Sequence, residues 1–306
     1  MNINAKARFG GLFQFEVRKS GTDKLVQKTG WMPNLVLDQG LDFMATEYWF
    51  KGCAVGTDGS KPYATQSGLG AQFAYKTNPE STGWGIYNKD GVLYYWLRKR
   101  FRFAAGTFNK TTLAEVAILS SSIKCWNRAL ITDTDGKQST ITLLSDEYLD
   151  VTCEVRCYIN LEDVTGVVNV VDKNNVALMA LDTITRPASI KYGNSLAGDL
   201  DSPMSYWVGH NRASLGENTL GDINSVVADA FCSNSSVQPY VSGSYQCTAD
   251  ILFGLDTANN TDYRVFSTGN QYYPSWQVGF SAPIRKNSSQ MFIFRVTLSW
   301  GRFNAS

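Results

Sequence analysis

Four segments of the chain alternate apolar and polar residues, the mark of a strand with one buried face. In residues 291–303, Phe292, Phe294, Val296, Leu298 and Trp300 fall on one side, with Arg295, Thr297 and Ser299 on the other. In residues 149–159, Leu149, Val151, Cys153, Val155, Cys157 and Ile159 are expected to face inward, and Asp150, Thr152, Glu154, Arg156 and Tyr158 outward. Residues 92–103 set Leu93, Tyr95, Leu97, Phe101 and Phe103 against Tyr94, Trp96, Arg98, Arg100 and Arg102. Near the start, Phe13, Phe15 and Val17 share a face. A polar turn at 20–23 and a short strand near 25–29 then complete a hairpin.

One segment breaks the two-residue period. Leu37, Leu41, Met44 and Ala45 fit a single short helix over residues 38–45. A brief strand and a long loop follow in 52–70, and strands are expected near 115–119, 128–131 and 139–144, with a turn at Asp135-Gly136. Residues 167–171 suggest a further strand, after which Asn, Ser, Gly and Asp dominate until Tyr245, as in elaborated loops. Short strands at 246–255 and 276–280 precede the last one. The expected fold is mainly β, an antiparallel β-sandwich or jelly-roll-like arrangement with one short helix and long loops. Two domains are expected, a β scaffold over 1–160 and a loop-rich β domain over 161–306. If residues 291–303 pack back on the first half, the two become a single large β domain.

Composition narrows the function classes. Hydrophobic residues at 43% are enough for a folded core, and 26 glycines supply the turns that short strands need. A net charge of +1 gives no global field to draw nucleic acid or an anionic membrane, so neither is expected as a partner. No apolar run reaches the roughly 18–20 residues of a membrane span. Residues 1–6 lack the apolar core of a secretion signal, so cytosolic synthesis is expected. The six cysteines are scattered, which suggests reduced and mostly buried thiols. Cys153 and Cys157, four apart on a strand, would lie roughly 13 Å from each other, too far to bridge.

Candidate chemistry is sparse. The single histidine, His210, lies in an expected loop with no identifiable partners for a triad or a zinc site. Asp133-Thr134-Asp135-Gly136 opens like a calcium loop, but Leu144 stands where the distal glutamate is required. Asp146, Glu147 and Asp150 could serve as the carboxylates of a polysaccharide hydrolase. Gly216 and Gly221 lack the spacing of a phosphate loop. Arg98-Lys99-Arg100-Phe101-Arg102 beside Tyr94, Tyr95 and Trp96 is a basic aromatic patch. It could stack on a single-stranded nucleic acid or a phosphorylated polysaccharide, or pair with acidic neighbours or another subunit. Tyr192, Tyr206, Trp207, Tyr240, Tyr245, Tyr263, Tyr272, Tyr273 and Trp276 could equally grip a sugar or a protein, or fill a loop-heavy core.

Several phrases, taken in order, resemble bacteriophage tail structural proteins of the tail-fibre and tail-tip kind. They include Trp31-Met32-Pro33-Asn34-Leu35-Val36-Leu37-Asp38-Gln39-Gly40, Cys53-Ala54-Val55-Gly56-Thr57 and Leu113-Ala114-Glu115-Val116-Ala117-Ile118. Arg128-Ala129-Leu130-Ile131, the run 140–152, Phe280-Ser281-Ala282-Pro283-Ile284-Arg285-Lys286 and Ser299-Trp300-Gly301-Arg302 continue it. The resemblance covers about residues 8–160 and 276–303. It implies a virion protein assembled in the bacterial cytoplasm, without enzymatic activity, cofactor or metal. Its partners would be copies of itself (a trimer among the options) and other tail proteins. The contact residues expected on these grounds are Trp96, Arg98, Arg100, Arg102, Tyr206 and Trp207. The alternative is a receptor-binding adhesin that reads host-surface carbohydrate with its C-terminal loops; a polysaccharide hydrolase ranks below it.

Overall fold

The computed structural model describes residues 2–121, 124–188, 197–209, 213–221, 229–268 and 275–303. The fold is mainly β, antiparallel and sandwich-like, as the two-residue periodicity requires. It divides into two compact units. The N-terminal unit comprises Arg8–Trp84, Trp96–Tyr158 and Gly301–Ser306, and the C-terminal unit Met1–Ala7, Gly85–Tyr95 and Ile159–Trp300. One switch between the units falls at Ile159. The cut is not linear, however, because long strands such as the 18-residue first one contribute residues to both units.

The first thirteen strands and the first helix run in chain order as follows. They are β1 (Asn2–Lys19), β2 (Leu25–Lys28), β3 (Met32–Pro33), β4 (Leu35–Val36), α1 (Asp38–Thr46), β5 (Gly52–Gly56) and β6 (Gln72–Lys76). Then come β7 (Ser81–Lys89), β8 (Val92–Phe103), β9 (Thr111–Leu113), β10 (Glu115–Leu119), β11 (Asn127–Leu130), β12 (Ile141–Leu143) and β13 (Glu147–Ile159). In the N-terminal unit one layer is ordered β1-β13-β8-β7, with β2 and β3 also paired to β1. A second layer is ordered β4-β11-β10-β5-β6, and β9 and β12 form a separate ribbon.

The expected stripes meet between these layers. Phe13, Phe15, Leu97, Phe101, Val151 and Cys153 are all buried, each large side chain contributing about 1.5–3 kcal/mol. Trp49 stacks on Trp126 at 4.6 Å and meets the edge of Phe9 at 5.9 Å. Lys99 occupies the gap in the β8 stripe: its Nζ donates to the Phe50 carbonyl at 2.7 Å and lies 4.7 Å over the Phe50 ring. Helix α1 buries Leu41, Met44 and Ala45, and the preceding Leu37 is buried too. Gly40 lets the helix rest on Trp126, where a Cβ would run into the Trp126 carbonyl.

The C-terminal unit adds β14 (Val164–Val171), β15 (Ala177–Pro187), α2 (Met204–Val208), β16 (Ser214–Gly216), β17 (Ala230–Phe231) and β18 (Asn234–Val237). The last strands are β19 (Gln246–Phe253), β20 (Tyr263–Ser267), β21 (Trp276–Ile284) and β22 (Phe292–Arg302). One sheet is ordered β14-β15-β21-β20-β16-β17; the facing layer runs β18-β19-β22. Phe294 of β22 joins them, stacked on Phe266 at 4.5 Å and near Phe253 at 5.6 Å. Buried Lys286 is fully partnered, donating to the carbonyls of Gly254 and Gln290 and to Asn259 Oδ1. Burial pushes its ammonium below the ordinary lysine value.

Two expectations need correction. The stretch from 172 to 245, read as loops, contains β15, α2 and the short strands β16, β17 and β18. The outward face of β13 is not open either: Asp150 and Glu154 are 2% and 1% exposed, because arginines from β8 lie over them.

Candidate functional site

The basic run on β8 becomes an ion-paired surface once β13 lies beside it. Arg98 Nε donates to Glu154 Oε2 at 2.9 Å, and Arg156 holds the other oxygen at 2.7 Å. The Arg98 guanidinium is sandwiched between two indoles, 5.0 Å from Trp31 and 4.9 Å from Trp96. Arg102 grips Asp150 with a two-pronged bond of 2.7 and 2.6 Å and lies 4.3 Å over Tyr148. The hydrogen bonds to Asp150 raise the Arg102 pKa above its ordinary value, against the opposing effect of burial. Arg100 approaches the same carboxylate at 4.0 Å. Trp96, Arg98, Arg100 and Arg102 are therefore one cluster, in which Arg98 and Arg102 are bonded to carboxylates of β13 while all three arginines stay partly exposed. The sequence exposes the arginines plainly; their partners were visible only as the out-facing residues of another strand.

Tyr206 and Trp207 belong to the other unit, on α2. Tyr206 is 51% exposed, whereas Trp207 is 3% exposed and forms part of the core, so its indole presents no contact surface. Tyr263 and Trp276 are likewise buried. His210, Tyr192, Tyr272 and Tyr273 lie outside the described residues.

The carboxylates considered for hydrolysis are tied to cations. Lys19 bonds Asp146 at 2.8 Å and lies 3.2 Å from Glu147, and its hydrogen bond holds the Asp146 carboxyl below its ordinary value. Asp150 is committed to Arg102. Asp199 is pushed up, by burial first and by the charge of Asp201 second. Asp133 Oδ1 accepts the backbone N–H groups of Asp135 and Lys137, both at 2.9 Å, which makes its loop a self-capped turn. No group of three or more His, Cys, Asp or Glu is placed to hold a metal among the described residues. All six cysteines are free and buried, and burial pushes the thiols of Cys125 and Cys247 up to about 12. No helix among the described residues is long and apolar enough to cross a membrane.

Two features were not expected as sites from the sequence. The first is a cavity of about 390 Å³ in the N-terminal unit, lined among others by Trp31, Pro33, Pro62, Thr132, Asp133 and Thr134. The second is the β14–β15 hairpin of the C-terminal unit. Val164, Val167, Val171, Val176, Leu178, Met179 and Ile184 are all exposed on it, Val167 at 61% and Leu178 at 64%. Cross-strand partners Val167/Asp182 and Asn169/Ala180 mark one face, and Val168/Leu181 and Val170/Met179 the other. Only Val168 and Leu181 among these are buried, so the distal half is bare on both faces. β14 is also the end strand of its sheet.

Comparison of the chain with protein-family models, with curated proteins and with solved structures returns no match.

Proposed function

We propose that the chain is a non-enzymatic structural component of a bacteriophage virion. It acts in a tail fibre, a tail tip or its attachment to the tail, through assembly with copies of itself and with neighbouring tail proteins. The phage context is supported by the ordered series of tail-protein-like phrases over residues 8–160 and 276–303. Assembly in the bacterial cytoplasm and residence in the virion belong to the same reading.

The observation that carries the assembly part is the β14–β15 hairpin. A water-exposed ribbon with Val, Leu and Met on both faces is larger than the scattered apolar residues of an ordinary surface. Its outer strand ends the sheet among the described residues and carries no charge or proline to blunt it; the one irregularity in its pairing lies at its far end, between Val170 and Val171. Strands of 8 and 11 residues also approach the roughly 20–30 residues a side of a standard interface.

Sedimentation of the full chain tests the reading. The wild type is expected to form a discrete oligomer, and the double variant Val167→Asp, Leu178→Asp to sediment as a folded monomer. A wild type that stays monomeric at tens of micromolar, or an oligomer indifferent to both substitutions, would overturn it.

A further inference from the structure

The cavity beside Trp31 is built, not incidental. Its floor includes Leu35 of β4 and Ala129 and Leu130 of β11, strands held in register by the pairs Asn127–Val36 and Arg128–Leu35. Pro33 and Pro62 also line it. Pro62 belongs to the loop between β5 and β6, which buried Arg128 fastens through Asp58 at 3.0 Å, Gln66 at 3.3 Å and Ser60 at 3.4 Å. The self-capped turn beginning at Asp133 supplies Thr132, Asp133, Thr134 and Gly136. The volume lies within the range of small-molecule sites, about 300–1,000 Å³.

Trp31 is what makes the cavity informative. It is 40% exposed, yet the Arg98 guanidinium 5.0 Å away fixes its indole. A large aromatic held still at a cavity while leaving so much apolar surface in water contributes little to folding there. It offers a flat apolar platform. Around it stand two threonine hydroxyls and the Asp133 carboxylate, whose Oδ2 has no hydrogen-bond partner among the described residues.

The charges select the ligand class. Asp133 disfavours an anion. Arg98, already over the indole, disfavours a cation, and the lining Arg128 is consumed by Glu115 and Asp58. A neutral molecule with one apolar face and several hydroxyl donors remains. We propose that the cavity is a binding site for a neutral saccharide: a pyranose ring stacks on Trp31 and donates hydroxyls to Asp133 and Thr134. The site does not depend on the assembly reading and uses none of the residues that carry it.

Saturation-transfer NMR on the full chain tests this, with glucose, galactose, mannose and N-acetylglucosamine as separate millimolar probes. Transfer to the ring protons of at least one sugar is expected. Trp31→Ala should weaken that binding by about tenfold or more, and loss of one hydroxyl in Thr134→Val by about threefold. Thr134 is exposed, so its variant removes a hydroxyl without threatening the fold. The double variant Val167→Asp, Leu178→Asp should bind sugar like the wild type, which separates failure of this site from failure of the assembly reading. No transfer from any of the four sugars, or affinity unchanged in both Trp31→Ala and Thr134→Val, would overturn the proposal.

Discussion

The outward face of β8 and β13 and the β14–β15 hairpin are both sheet surfaces turned away from a core, finished in opposite ways. On the first, three arginines spread over two nearly buried carboxylates, and Arg98 and Arg102 lean on Trp31, Trp96 and Tyr148, so most of the face is covered by its own side chains. On the second, no charged residue stands between Val164 and Val171, and most of the side chains meet water directly. A surface closed by its own side chains has little to gain from a partner. One left bare gains the full transfer free energy when covered. The basic patch expected as a contact surface is thus the one that already meets acidic and aromatic partners within the chain.

The sharpest test of self-containment is the buried charge beneath the N-terminal unit's other layer. Glu115 is fully buried and takes Arg128 Nε at 2.6 Å together with the N–H groups of Gly70, Ala71 and Asp58. Arg128→Met strands that carboxylate, and a loss of about 3–5 kcal/mol is expected in urea unfolding. A loss below about 1 kcal/mol would show that water reaches Glu115 and that the loop is not clamped. Arg102→Met should cost less, about 2 kcal/mol, because Arg102 is partly solvated while Asp150 is not. Adding Asp150→Leu should return most of it, since the cost lies in the orphaned carboxylate. If the double variant is as unstable as the single one, packing of the arginine stem is responsible instead.

These two faces also show what was legible beforehand. Alternation identified the inner faces of β8, β13 and β22, with only Phe292 half-buried at the start of β22, because one face of each is dry. It also placed α1, where Leu37, Leu41, Met44 and Ala45 follow the helical spacing. It found only residues 167–171 of β14 and missed β15 for the same physical reason: with both faces of the hairpin exposed, the apolar residues of β15 carry no period. Strands of two to four residues such as β16, β17 and β18 are too short to show one. The six expected contact residues came from composition, which detects arginine and tryptophan but not what lies over or under them. Hence Asp150 and Glu154 were read as facing out, and Trp207 as available. Trp31 was visible in the sequence, but its cavity depends on loops from three distant segments meeting.

Both units should share an acid limit. Hydrogen bonds to Lys28, Lys19 and Arg295 hold Glu16, Asp146 and Asp250 below their ordinary values of 4.5, 3.8 and 3.8. A depressed carboxyl stabilises the fold above its unfolded value, and that stability is lost as pH falls through the folded one. The urea midpoint should be flat near neutrality and fall below about pH 4.5, with a smaller fall at high salt, where exposed pairs are screened. A midpoint that rises on acidification would contradict the sign. No titrating pair covers the distal half of the β14–β15 hairpin, so association through it should not follow this curve.

The smallest stability effect is expected where the effect on assembly is largest. Under conditions that keep the chain monomeric, Leu178→Asp should change unfolding free energy by no more than about 0.5 kcal/mol, since its side chain is exposed, and Val167→Asp by no more than about 1 kcal/mol, the extra cost coming from Asp182 directly opposite. The same substitutions should weaken association strongly, because each would bury a carboxylate against apolar surface. Equal losses in both measurements would mean that the hairpin is part of the unit's own core. Stability untouched while association is lost would show that the bare ribbon serves a partner.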